Sequence, residues 1–238
     1  MRALAAFMFF TRLPFWKLGN PPAEDFKRVV ELWPLVGWFT GILSGLIIWG
    51  AGSILPMWVA VMLAIIARLL ITGALHEDGL ADFLDGMGGG TTRQRILEIM
   101  KDSHIGSYGV IGLICYYLLT VGILSSLSPL TAALVVAAGD PFAKFCASQL
   151  INFLPYARTE AQAKNRTVYS RMSGNALALN LLCGILPLAW LVPLALTTWP
   201  IALAPLAPVI VVALLIRLMR RRIGGYTGDC CGATFLLC

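Results

Sequence analysis

Three aspartates carry the strongest chemical signal in this sequence. Asp78, Asp82 and Asp85 stand at i, i+4 and i+7 within His76-Glu77-Asp78-Gly79-Leu80-Ala81-Asp82-Phe83-Leu84-Asp85-Gly86, so a helix there places them on one face. Like charges at that spacing weaken a bare helix. A divalent cation offsets the repulsion, and oxygen-only ligands suit Mg²⁺, which takes one or two carboxylates together with substrate phosphates. Asp78, Asp82 and Asp85 are therefore the expected metal ligands. Glu77, on another face, is placed to cap the helix or reach a second ion. Glycines 88–90 let the backbone turn sharply beside a phosphate.

The groups around this stripe suit phosphoryl chemistry. Arg93, Arg95 and Lys101 supply donors that a pyrophosphate substrate needs, although topology alone also accounts for basic residues here. Asp102 is expected as a catalytic group, a fourth metal ligand or the partner of a nearby arginine. His76 and His104 are the chain's two histidines, and both flank the cluster. Each is a candidate general base or phosphate contact, against the commoner role of structural hydrogen bonder. Near the end, Gly224-Gly225-Tyr226-Thr227-Gly228-Asp229 reads as a glycine-rich loop carrying one acid towards a phosphate or metal.

The elements that position these residues are membrane helices. The chain is 238 residues, 58% hydrophobic and 13% charged, against about 25% charged in a soluble domain. Six apolar stretches, at 33–55, 57–75, 105–127, 130–154, 176–196 and 199–219, approach the length needed to cross about 30 Å of hydrocarbon. The turns at 53–57, 125–130 and 196–200 lack charge and read as tight hairpins on one side. Basic residues crowd the alternate segments: Arg2 to Arg28 before the first span, Arg93 to Lys101, Arg158 with Lys164, Arg166 and Arg171, and Arg217 to Arg222. The positive-inside rule then puts both termini in the cytoplasm, and accounts for the net charge of +6 without nucleic acid as a partner. The expected fold is an all-α, polytopic bundle of about six spans in the inner (cytoplasmic) membrane, one domain over 1–238. A short apolar segment before residue 17 is interfacial or re-entrant.

Inside the spans, Asp140 and Lys144 at i, i+4 neutralise each other most simply. Arg68 stands about 15 Å up the second span from Asp78 if that helix runs on unbroken. The six cysteines show no Cys-x-x-Cys or zinc spacing and read as reduced. No cleavable signal peptide is evident.

Taken together and in order, four motifs resemble one family. They are His76-Glu77-Asp78-Gly79-Leu80-Ala81-Asp82 with Asp85-Gly86; Ile99-Met100-Lys101-Asp102-Ser103 with Ile105-Gly106 and Tyr108-Gly109; Leu154-Pro155-Tyr156-Ala157-Arg158; and Gly225-Tyr226-Thr227-Gly228-Asp229 with Gly232-Ala233. The opening Phe10-Thr11-Arg12-Leu13-Pro14 fits as well. The chain resembles, over essentially its whole length, the cobalamin synthase (adenosylcobinamide-GDP ribazoletransferase) family. Glu77 stands where that family commonly has leucine and His104 where it commonly has arginine. The family usually continues beyond the position of Cys238.

The resemblance implies a membrane transferase that joins adenosylcobinamide-GDP to α-ribazole or its 5′-phosphate and releases GMP. Mg²⁺ would sit on the aspartates, and Arg93, Arg95, Lys101, His104 and Arg158 would hold phosphate oxygens. Asp82, His76 or Asp102 would take part in proton transfer, and Asp229 would close the site. A homo-oligomer is left open. A CDP-alcohol-type phosphotransferase also uses acidic helix ends at a membrane, and a transporter would use Asp140, Lys144 and Arg68 as a relay. The first lacks its usual Ala-Arg after the Asp-Gly pair here. The second commonly shows matched, broken halves, which this sequence does not.

Overall fold

A computed structural model describes residues 1–158, 169–197 and 200–238. Lys164 and Arg166, and positions 198 and 199 of the expected turn at 196–200, lie outside the described residues. The main helices are α1 (Arg2–Phe10), α2 (Trp33–Gly52), α3 (Met57–Thr72), α4 (Leu75–Gly89), α5 (Arg93–Ile99), α6 (Ser107–Ser125), α7 (Pro129–Ser148), α8 (Gly174–Ile185), α9 (Leu206–Arg222) and α10 (Gly228–Leu237). Among the described residues no strand forms, and the bundle is all-α.

Five continuous helical stretches are long and apolar enough to cross a membrane: Val29–Gly52, Ser107–Ser125, Pro129–Phe153, Gly174–Leu196 and Ile201–Arg222. The expected second span differs. It does not run on into the aspartates, because α3 and α4 meet at 92°. Gly73 and Ala74 both adopt the left-handed region, with φ of 64° and 56°, which ends α3 and turns the chain. Arg68 therefore does not lie far from the acidic stretch. Its guanidinium reaches Glu77 Oε1 at 3.0 Å and the Tyr116 hydroxyl at 2.8 Å.

The outward surface suits a bilayer. On α6 only Gly109 is buried, while Ile111, Leu118, Leu119 and Ile123 are all exposed. Leu46, Trp49 and Leu70 likewise face outward. Contiguous exposed apolar surface on this scale is stable only against lipid.

Inside, the tightest pairing is α2 against α7. Gly37, Gly41 and Gly45 repeat every four residues along one face of α2. A side chain at Gly37 would sit 2.6 Å from Pro141 Cα, and one at Gly45 would sit 2.7 Å from the Ala133 carbonyl oxygen. Small residues at this spacing let two backbones touch, which is how membrane helices gain packing without a hydrophobic driving force. The contact brings Thr40 Oγ1 to Asp140 Oδ1 at 3.1 Å. Asp140 also pairs with Lys144, which is fully buried.

The N-terminal α1 buries Ala5, Ala6 and Phe10 in the main core. Just after it, the Arg12 amide donates to the Ile71 carbonyl at 2.6 Å, tying the N-terminal segment to the α3–α4 bend. Gly41→Leu is expected to force α2 and α7 apart, because even a Cβ at this position would lie 3.0–3.2 Å from Asp140, Ala137 and Val136 atoms. Overpacking of this kind costs about 3 kcal/mol. Thermal unfolding in detergent should show a clear loss for Gly41→Leu and almost none for the lipid-facing control Leu46→Ile.

Candidate active site

The acidic helix α4 is packed from both sides by the parts of the chain that carry the other motifs. Across it lies α10, and the two backbones nearly touch. A Cβ on Gly79 would sit 3.0 Å from the Asp229 carbonyl oxygen, and one on Gly232 would sit 3.2 Å from His76. Thr227 caps α10 by accepting the Cys230 amide at 3.4 Å, so Asp229 falls in the first turn of that helix, a position that favours a negative charge. The loop before α10 is fixed by a short pairing with the 155–157 segment. The Ala157 amide donates to the Tyr226 carbonyl at 2.8 Å, and the Tyr226 amide donates to the Pro155 carbonyl at 2.9 Å.

The result is a cavity of about 130 Å³ lined by Phe9, Phe10, Val30, Trp33, Leu75, His76, Asp78, Tyr156, Arg158, Tyr169, Gly228, Asp229, Cys231 and Gly232. The lining combines the charged Asp78, Asp229 and Arg158 with the aromatic Phe9, Phe10, Trp33, Tyr156 and Tyr169. Burial pushes the Tyr156 hydroxyl up to about 12 and that of Tyr169 well above its ordinary value, so both phenols stay neutral and keep a proton to donate.

The expected site residues divide into those at this cavity and those elsewhere. His76, Asp78, Arg158 and Asp229 meet there. Asp82 is buried one turn further along α4. Asp85 is placed differently from the expectation of a third ligand beside Asp78. Its two oxygens accept the Gly106 amide at 2.7 Å and the Gly109 amide at 2.8 Å, so it caps the start of α6. Glu77 turns to Arg68 rather than to Asp78.

Among the basic residues, Arg93 is occupied by two carbonyls, those of Ile223 at 2.8 Å and Ala157 at 2.9 Å. It joins the two paired loops rather than facing the cavity. Arg95 is exposed beside Glu98 at 3.4 Å. Lys101 lines a separate, open depression that shares Arg158 with the cavity. Asp102 and His104 form an exposed pair 2.7 Å apart. The hydrogen bond to His104 holds Asp102 below its ordinary value, and Asp102 raises that of His104.

Mg²⁺ is testable against this geometry. Among the described residues no three His, Cys, Asp or Glu side chains gather as a ligand group. Helical rise puts Asp85 about 10 Å along α4 from Asp78, whereas Mg–O bonds are about 2.1 Å, so one ion cannot join both. Asp78 and Asp229 share one cavity, with Asp82 a turn away. Two carboxylates with room for phosphate match what Mg²⁺ usually takes from a protein. The donor set fits on those terms.

The convergence of three of the four motifs on one cavity is matched by the comparisons with known proteins. The sequence model of the family described as cobalamin-5-phosphate synthase matches residues 2–238. The chain belongs to that family. A protein of Shewanella sp. strain W3-18-1 described as adenosylcobinamide-GDP ribazoletransferase is 35% identical over 238 residues, covering 99% of this chain and 89% of the relative. One of the same description from Shewanella frigidimarina is 38% identical, with 96% and 87% covered. No solved structure matches the chain.

The aromatic lining of the cavity is not legible as a site in the sequence. Phe10 and Tyr156 sit inside quoted motifs, which was the available signal. Trp33 and Tyr169 had none, because an aromatic at a span boundary reads as an interfacial anchor. Arg222 was counted only as a topology charge. It caps α4 by donating to the Gly90 carbonyl at 2.7 Å.

The placement predicts a contrast between two basic positions. The stabilisation from His104 is present below its ordinary value and fades as pH rises through the raised one. That from Asp102 is present above its ordinary value and fades as pH falls through the lowered one. Both groups stand in solvent, where such pairs contribute little. His104→Ala should therefore leave the melting temperature and the pH–rate profile unchanged. Arg158→Ala should raise KM for a diphosphate substrate about tenfold or more. Steady-state kinetics on both variants checks the pair, and a larger effect from His104→Ala would reverse the assignment.

Proposed function

We propose that this chain joins adenosylcobinamide-GDP to α-ribazole, or to its 5′-phosphate, and releases GMP. The observation that carries this reading is the single cavity holding Asp78, Asp229, Arg158 and His76, within a chain of the matching family. We also take residues 1–238 as one catalytic unit in the cell inner membrane, with both termini and the cavity mouth facing the cytoplasm.

In this reaction a ribazole hydroxyl oxygen attacks the phosphorus esterified to the cobinamide side. The bond from that phosphorus to the oxygen bridging to GMP breaks, and the hydroxyl proton leaves. Arg158 is placed to hold non-bridging oxygens of the diphosphate, an interaction that strengthens as charge develops. Its side chain is steadied by donating to the Leu97 carbonyl at 2.7 Å. His76, or a carboxylate not committed to metal, takes the hydroxyl proton. Asp78, Asp82 and Asp229 would hold Mg²⁺, which when bound supplies charge neutralisation for the diphosphate and the departing GMP. Asp85 acts at one remove, by fixing α6 against α4. The half-buried to buried walls limit water access, which protects the diphosphate from hydrolysis.

The test is GMP release by the lipid-reconstituted protein given both substrates. Release should require Mg²⁺, stop on chelation and match corrinoid product mole for mole. Asp82→Asn is expected to leave the protein folded in membranes and lower kcat by about 10³-fold or more. An Asp82→Asn enzyme with normal, Mg²⁺-dependent turnover would remove Asp82 from the site.

A further inference from the structure

We infer that the aromatic lining of this cavity is the subsite for the benzimidazole base of α-ribazole, and that Trp33 reads that base by donating Nε1–H to its unsubstituted ring nitrogen. The inference rests on the reaction proposed above and adds where one substrate sits and what recognises it.

The walls suit a flat, apolar ring. Phe10 and Trp33 are stacked, with centroids 5.0 Å apart and planes 9° from parallel. Phe9 meets Tyr169 edge-on at 6.1 Å, and Tyr156 completes the lining. Aromatic surfaces arranged in this way favour a further stacked or edge-on ring.

The decisive feature is a pair of unsatisfied nitrogens. Trp33 Nε1 and His76 Nε2 are both buried without a hydrogen-bond partner among the described residues. Trp33 is 1% exposed and His76 2%, and their rings lie 5.5 Å apart. Both line the cavity. Buried indole N–H groups nearly always find an acceptor, so an unpaired one beside a cavity points to a ligand atom as its partner.

Two bases enter the reaction, guanine and dimethylbenzimidazole, and their edges differ. Guanine presents several donors and acceptors, each of which needs a partner when desolvated. The benzimidazole of α-ribazole presents one acceptor nitrogen and two methyl groups. The apolar side chains Phe9, Phe10, Val30 and Leu75 suit the methyl-bearing ring, and the donors on Trp33, Tyr156 and Tyr169 suit an acceptor nitrogen. Guanine's several N–H groups instead need acceptors that, apart from His76, this lining offers only at its carboxylates and tyrosine oxygens. The ribose of the same substrate then meets the charged residues of the lining, Asp78, Asp229 and Arg158.

The experiment uses the full chain in lipid nanodiscs. Binding and steady-state kinetics are measured with α-ribazole and with its indole counterpart, which keeps the sugar and methyl groups but lacks the acceptor nitrogen. The native protein should bind the indole riboside about tenfold more weakly, the worth of one good hydrogen bond. Trp33→Phe keeps a stacking ring and removes the donor. It should raise KM for α-ribazole about tenfold, leave KM for adenosylcobinamide-GDP within about twofold, and erase the difference between the two ribosides.

Equal binding of the two ribosides by the native protein overturns the inference without any mutation, so a Trp33→Phe variant that failed to fold would not protect it. A Trp33→Phe effect confined to KM for adenosylcobinamide-GDP would move the subsite to guanine. A native protein that discriminates between the ribosides but releases no GMP would refute the proposed reaction while leaving the base subsite standing.

Discussion

The structure depends on a bend that an apolar sequence does not advertise. At Gly73 and Ala74 the chain leaves α3 and re-enters helix as α4 at 92°. Alanine in the left-handed region costs on the order of 1 kcal/mol, and a partly buried arginine beside a buried glutamate costs desolvation as well. These costs are linked. Arg68 lies before the bend and Glu77 after it, and their 3.0 Å contact exists only because the helix turns. A straight helix would carry them roughly 13 Å apart along its axis. The Arg12 amide on the Ile71 carbonyl adds a second tether from α1. A side chain at Gly73 would meet the Arg12 side chain, so the bend, the ion pair and the N-terminal segment specify one another.

Once the bend is set, the placement of charge in the bundle follows. Glu77 is drawn to Arg68, whose guanidinium also donates to the Tyr116 hydroxyl, and Asp78 and Asp82 occupy another face of α4. Asp140, Lys144 and Thr40 form a second buried polar group. Lys144 Nζ lies 3.9 Å from the Phe235 ring centroid, and the same ring meets His76 edge-on at 4.8 Å. A buried charge needs partners of this kind, or it destabilises the fold by several kcal/mol. The arrangement therefore serves the helices first. Asp140 pairs with Lys144 and Arg68 with Glu77, so the intramembrane charges are accounted for by helix packing without a transport relay.

What the sequence discloses is governed by the range of each interaction. Spans are legible because hydrocarbon thickness demands long apolar runs, and five of them appear as continuous helices. The aspartate stripe is legible because i, i+4 and i+7 are local. The bend is not, since Gly73-Ala74 sits in a run that reads as uninterrupted span. Asp85 was expected to ligate metal because its spacing says only that it shares a face with Asp78. Its actual partners are amides 21 and 24 residues further on, a distance that no local pattern reports. The same holds for Arg93, whose carbonyl acceptors lie 64 and 130 residues away. By contrast, the glycine stripe at 37, 41 and 45 was present in the sequence at a spacing with a direct physical meaning. Only the fold showed which helix it met.

The long-range contacts also explain why the three aspartates are not equivalent. Helical rise separates the two ends of the stripe by about 10 Å, too far for a single hard cation to hold. The helix resolves the repulsion in two ways along its length. At one end, Asp78 lines a cavity that it shares with Asp229 and Arg158. At the other, Asp85 is neutralised by the amide dipoles that open α6, which locks α6 onto α4 without any metal. Asp82 stands between them and is buried. An apolar membrane protein has few polar groups to spare for orientation alone. Here one carboxylate of the stripe fixes the neighbouring helix α6 against α4, so a local pattern that looks like three equivalent carboxylates separates into different surroundings once that helix is in place.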